Sequence, residues 1–363
     1  MQTGTILEPR EIDKTITYVR IYIMKKLLGI MVLGLLIASP AFAGTSPLHS
    51  LWPYFKGAKM VQIPSYNSGP FPNEFITLKD GSYKNLPVKI DALIAYPKKG
   101  EGPFPVLVFN HASGGSWQWS NEWFKFDRLM ARQLLKKGIA VMFVDNFNGR
   151  SVVSADEDQS QVSTYSFYID AFMTLEYLSK DPKINIKKVG ITGWSRGGMN
   201  SLAITETRIR DALVSKDLYF AASLPRSVEC RQSGFFRNPQ PIPETKILMV
   251  NGKIDDASHA HICEEYGEKM KANGADIVVK TKAGWGHGFE ANYSAEFEAG
   301  QEVWHNCPDY YTEDDGMANK EAKFDDSCIT YEGYHMGGTR KTGGKSWEMF
   351  RSPFLKFFKK NLL

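Results

Sequence analysis

Lys188-Val189-Gly190-Ile191-Thr192-Gly193-Trp194-Ser195-Arg196-Gly197-Gly198-Met199 is the stretch that decides the fold. Its first five residues read as a short apolar strand. The run from Gly198 through Met199, Ser201, Leu202, Ala203 and Ile204 reads as a helix. Between them stands G-x-S-x-G, residues 193–197. A strand-to-helix turn this tight needs glycine on both sides, and it lifts the serine Oγ above the sheet, where a nucleophile is useful. The pentapeptide alone arises from composition in about one chain in ten of this size. Its neighbours therefore carry the argument.

On the N-terminal side, residues 59–97 hold two strand-like runs, the second from Pro87 to Tyr96. Pro105 to Asn110 is a continuous apolar run, as a parallel strand buried on both faces requires. Residues 120–137 have helical spacing through Trp123, Phe126, Leu129, Met130, Leu134 and Leu135, closed by Gly138. Ile139 to Val144 is a second buried strand, and Phe167 to Leu178 a helix stopped by Asp181-Pro182. On the C-terminal side follow strand-like runs at Tyr219–Leu224, Lys246–Asn251 and Ile277–Lys280, the last strand expected. A helix over about 259–273 ends at Asn273-Gly274, and an amphipathic helix from Trp347 to Phe358 closes the chain. Residues 289–345 read as an irregular polar loop. This alternation predicts an α/β fold with a mostly parallel central sheet and helices on both faces, in a single domain without repeats.

An activated serine needs a base within hydrogen-bond reach, and the base needs an orienting carboxylate. Gly252-Lys253-Ile254-Asp255-Asp256 follows the Lys246–Asn251 strand and supplies the carboxylate: Asp255, with Asp256 as the alternative. Ala283-Gly284-Trp285-Gly286-His287-Gly288-Phe289 follows the Ile277–Lys280 strand, and its flanking glycines let the backbone present His287 as the base. His305 and His335 lie in the long loop. His259 and His261 open a helix, where an i, i+2 pair points in different directions and chelates poorly. Negative charge developing on a substrate needs two donors. These are the Arg196 amide and an amide of Ala112 or Ser113 in the Gly-rich loop His111-Ala112-Ser113-Gly114-Gly115. His111 is expected to brace that loop. Arg150 is a candidate either for an anionic substrate group or for a structural salt bridge. Trp117, Trp119 and Trp285 are candidates either for a substrate pocket or for the core.

Met24-Lys25-Lys26, the apolar run Leu27–Ile37 and Ala41-Phe42-Ala43 have the form of a secretory signal peptide, residues 24–43. Export to the periplasm or medium is expected, with a mature chain from Gly44 and residues 1–23 upstream of the natural start. The apolar run is short for a membrane-spanning helix of about 20 residues, so no stable membrane insertion is expected after cleavage. Residues 44–363 carry a formal charge near +2 and no basic stripe, which gives no basis for binding nucleic acid. Four cysteines in an exported chain favour disulfides, here Cys230–Cys263 and Cys307–Cys328, the second stapling the polar loop. No C-x-x-C or C-x-x-H spacing supports zinc.

These residues resemble the dienelactone hydrolase-like branch of the α/β-hydrolases, particularly its exported members. The resemblance runs from the Val106–Gly115 strand and loop through Phe143-Val144-Asp145-Asn146-Phe147, Asp181-Pro182, the elbow and Gly252–Asp256 to Gly286-His287-Gly288-Phe289. It implies an α/β-hydrolase fold and hydrolysis of a small-molecule or polymeric carboxylic ester or lactone through an acyl-enzyme, with no metal or organic cofactor. Dienelactone hydrolases proper use a cysteine nucleophile where this chain has Ser195, so ester hydrolysis is implied but not the dienelactone itself. A prolyl-oligopeptidase-like peptidase shares the elbow but brings a second large domain that residues 44–363 are too short to hold. A hydrolase fold used only for binding would be expected to lose one of Ser195, Asp255 or His287, and all three are present.

Overall fold

The computed structural model describes residues 46–292, 296–322, 326–338 and 346–363. The signal-like segment 24–43 lies outside them. Eight strands make one sheet. They are β1 (Lys59–Tyr66), β2 (Pro87–Ala95), β3 (Phe104–Asn110), β4 (Ala140–Asp145), β5 (Ile184–Trp194), β6 (Ala222–Arg226) and, beyond the two-residue β7 (Phe235–Phe236), β8 (Lys246–Gly252) and β9 (Asp276–Lys282). Their order is β1-β2-β4-β3-β5-β6-β8-β9. The β1–β2 and β2–β4 pairs are antiparallel, and every pairing from β4 across to β9 is parallel.

Side-chain alternation divides the core into two. Val106 and Val108 of β3, with Ala140, Met142 and Val144 of β4, face one side. Leu107, Phe109, Val141 and Phe143 face the other. This is the period of two that a pleated strand imposes. The first side is covered by α1 (Glu74–Asp80), α3 (Thr164–Ser179), α4 (Arg196–Ala203), α5 (Thr207–Leu213) and α6 (Ala260–Ala272); the second by α2 (Phe126–Lys136) and α7 (Ser346–Leu362). Phe350, Phe354, Phe358 and Leu362 form the buried stripe of α7 at helical spacing.

Several elements differ from the sequence expectation. The helix expected over 120–137 begins only at Phe126, after a short 3-10 turn at Ser116–Ser120. The strand expected at Tyr219–Leu224 lies at Ala222–Arg226, where its register is set by pairing with β5 and β8. α1 was not expected. The segment 289–345 is not wholly irregular: β10 (Glu296–Glu298) pairs with β12 (Tyr334–Met336), and β11 (Tyr311–Thr312) pairs with β7. Such short strands exist only through long-range pairing, which local sequence does not record. The two disulfides join Cys230 to Cys263 and Cys307 to Cys328, the pairing expected.

Candidate active site

Ser195 stands at the junction of β5 and α4 with φ 52° and ψ −124°. A non-glycine residue there is strained by about 1–3 kcal/mol, and such strain persists only where the surroundings enforce it. Here they do. A Cβ on Gly193 would lie 2.5 Å from the Gly197 carbonyl oxygen, and one on Gly197 would lie 2.5 Å from the Asn110 carbonyl oxygen. Both glycines are therefore required by backbone contact between the turn and the end of β3. The Ser195 amide donates to the Arg226 carbonyl of β6 (3.0 Å), which fixes the turn from the other side.

The loop after β8 carries Asp255, 3% exposed, and the loop after β9 carries His287, 5% exposed. His287 Nδ1 lies 3.0 Å from Asp255 Oδ2 and 3.2 Å from Oδ1. The Ser258 amide donates to Asp255 Oδ1 at 2.8 Å and holds the carboxylate in place. Burial pushes the His287 imidazole down, but the charge and hydrogen bond of Asp255, aided by Glu290 and Glu229, outweigh it and hold the pKa above the ordinary value. Asp256, the alternative acid, is turned elsewhere. Its carboxylate accepts from the His335 amide (2.6 Å) and contacts His335 Nδ1 at 2.8 Å.

His335 belongs to β12, which clamps the histidine loop. The His287 amide donates to the His335 carbonyl (2.7 Å), the Gly286 amide to Gly337 (2.8 Å), and the Gly337 amide back to His287 (2.8 Å). Asp256 thus supports the backbone of the loop whose side chain meets Asp255. That arrangement was not legible in the sequence.

At the end of β3, His111 is buried and accepts the Asn146 amide on Nε2 (3.1 Å), which leaves its Nδ1–H to donate to the Ala112 carbonyl (2.7 Å). Burial lowers its pKa, consistent with a neutral ring that braces the loop. Among the described residues, no acceptor engages the amides of Ala112, Ser113 or Arg196. The last is at a helix N-terminus, where amides have no partner within the helix. Ala112, Ser113, Ser195, Arg196 and His287 all line one cavity of 1360 Å³. Among the described residues no hydrogen bond joins Ser195 Oγ to His287. Such bonds often tighten only when substrate is bound.

A buried ion network lies beneath, also missed by sequence reasoning. Arg226, 0% exposed, reaches Asp127 of α2 (2.8 Å), Glu290 (2.7 Å) and the Gly193 carbonyl (3.3 Å). It thus ties the elbow to α2 and to the residue three beyond His287. Trp119 Nε1 donates to the same Asp127, so Trp119 belongs to this support, and Trp285 stacks on Phe289 in the core. Neither these nor Trp117 lines the cavity; its aromatic walls include Trp123, Phe124, Trp194, Trp304 and Tyr334. Arg150 is structural. All five of its N–H groups are engaged, two by Asp170 and the others by Asn67, Asn146 and Tyr66. Among the described residues no cluster of three or more His, Cys, Asp or Glu is placed to hold a metal ion.

Strand order, elbow and strand-end loops together define an α/β-hydrolase fold. The chain belongs to the dienelactone hydrolase family, whose model matches residues 90–313, and it is a carboxylic ester hydrolase. Among solved structures it is similar to a proposed dienelactone hydrolase of Klebsiella pneumoniae subsp. pneumoniae (15% identity, TM-score 0.44, covering 63% of this chain and 89% of that one). It is also similar to esterase 2 of the planctomycete Thermogutta terrifontis. The propionate-bound form gives 13% identity, TM-score 0.41 and coverage of 56% and 82%. The form phosphoramylated by tabun gives 13%, 0.46, and 66% and 88%. No curated protein matches the chain.

Proposed function

We propose that the protein is an exported serine esterase in which Ser195, His287 and Asp255 act as a triad. The observation that carries this reading is the buried Asp255–His287 pair at the wall of the cavity into which the strained Ser195 opens. In this mechanism His287 Nε2 takes the Ser195 proton as Oγ attacks the ester carbonyl. Asp255 holds Nδ1–H and stabilises the imidazolium that forms. The amides of Arg196 and of Ala112 or Ser113 receive the oxyanion, each such donor being worth about 10²–10³ in kcat. The alcohol leaves with the proton from His287, and water then enters by the same route to release the acid. No step needs a metal or organic cofactor.

Export is supported by the two disulfides, which persist in oxidising compartments, and by the signal-like residues 24–43. No described helix is long and apolar enough to cross a membrane. The test is reaction of the purified, disulfide-bonded protein with a fluorophosphonate probe, beside Ser195→Ala. Labelling is expected at Ser195 and absent in the variant. An unlabelled protein that is fully folded by circular dichroism would refute the triad.

A further inference from the structure

The cavity that holds Ser195 is strongly asymmetric in charge. Six carboxylates line it, those of Glu74, Asp156, Glu229, Glu296, Glu298 and Glu302, against one guanidinium among the described residues, that of Arg196. Arg196 is 5% exposed. It donates to the carbonyls of Val162 (2.6 Å) and Gln159 (2.7 Å) and lies over the Phe167 ring. Arg150, the other cation that the sequence offered for an anionic group, has no donor left over. An anionic substrate would therefore meet six acidic side chains against one buried guanidinium.

The acidic lining reaches the reacting centre. A Cβ on Gly114, in the loop proposed to receive the oxyanion, would come within 2.8 Å of Asp156 Oδ2 and 2.0 Å of Gln118 Nε2. Gln118 lines the cavity and is 8% exposed, and among the described residues its Oε1 has no hydrogen-bond partner. It is a buried acceptor that calls for a donor, which a primary ammonium can supply and a quaternary one cannot. Tyr334 packs edge-on against the His287 ring at 5.4 Å and feels the charges of Asp156, Glu298 and Glu302. Trp194 and Phe124 stack at 5.5 Å and form an aromatic wall beside them. Burial also pushes Glu74 and Asp156 above the usual carboxylate range, and Glu229 up to about 7. A bound positive charge would relieve that penalty.

We infer that this cavity selects esters carrying a cationic group, such as a quaternary or primary ammonium, and discriminates against anionic ones. Carboxylates draw the cation in, and the aromatic faces stabilise it at contact. The inference rests on Ser195 being the nucleophile of the cavity.

The test is a matched series of p-nitrophenyl esters: of 4-(trimethylammonio)butyrate, of its uncharged carbon isostere 5,5-dimethylhexanoate, and of glutarate. At low ionic strength kcat/KM is expected to fall in that order, by about tenfold or more from first to last. Added salt should compress the range, because screening weakens steering. Asp156→Asn combined with Glu298→Gln should reduce the cationic-to-neutral ratio. Equal rates for the three esters, preference for the neutral or anionic ester, or no turnover of the cationic ester by protein that still labels at Ser195 would each overturn the inference and leave the serine esterase standing. Loss of probe labelling itself would instead remove the Ser195 triad on which the inference rests.

Discussion

At the scale of single residues, neighbouring aspartates have been given different work. Asp255 meets His287, and Asp256 meets His335. Asp255→Asn is expected to lower kcat by about 10⁴-fold, because an amide no longer holds the needed tautomer or stabilises the imidazolium. Asp256→Asn should cost far less, since its pair with His335 is part-exposed and supports only backbone. Parallel kcat measurements on a p-nitrophenyl ester distinguish the two, and equal losses would contradict the geometry. His287 also sets a pH dependence. Its pKa is raised above the ordinary 6.5, and the base must be neutral, so kcat/KM should rise with pH through a midpoint above 6.5. In Asp255→Asn burial acts against only the weaker influence of Glu290 and Glu229, and the midpoint of the residual activity should move down. The contribution of the same pair to stability has the opposite course. It is fully present below the unfolded-state pKa and is lost as pH rises through the raised folded value.

Among the elements, Arg226 is the fastener. It joins β6 to α2 through Asp127, to the histidine loop through Glu290, and to the elbow through the Gly193 carbonyl. Arg226→Met would leave two carboxylates buried without their cation. The expected loss is about 3–5 kcal/mol, measurable by urea unfolding; an unchanged midpoint would mean that Asp127 and Glu290 already bind protons. Elements with a strong local signature were legible in the sequence: β3 and β4 as unbroken apolar runs, α7 as a stripe, and the turn between β5 and α4 through its glycines. Arg226 was not, because a lone arginine at a strand end looks the same whether it meets solvent or two buried acids. The same blindness applies to β12, three residues whose identity as a strand comes wholly from partners far away in sequence.

For the molecule as a whole, the polar segment after β9 is part of the working structure. It supplies β12, which clamps the His287 backbone, and Trp304 and Tyr334 of the cavity wall. The Cys307–Cys328 bridge joins residues 21 positions apart within it. Replacing both cysteines by serine is expected to cost about 3 kcal/mol of stability by loosening that loop. Activity should fall as well, because the clamp on His287 is then ordered less often. Thermal unfolding and kcat on the double variant measure both, and full activity with lowered stability would separate the loop from the site.

From sequence alone came the layered α/β architecture, the serine turn, the cysteine pairing and the strand-end loops where an acid and a base belong. Each of these has a local cause: a period of two or 3.6, a glycine where backbone crowds, or a staple across a chain segment poor in apolar residues. Only the tertiary structure decided which aspartate meets His287, what supports the site from beneath, which tryptophans face the cavity and what charge that cavity carries. Those properties depend on groups brought within a few ångströms from five or more separate loops. Electrostatics and contact are set by distance in space, which the order of residues along the chain does not encode.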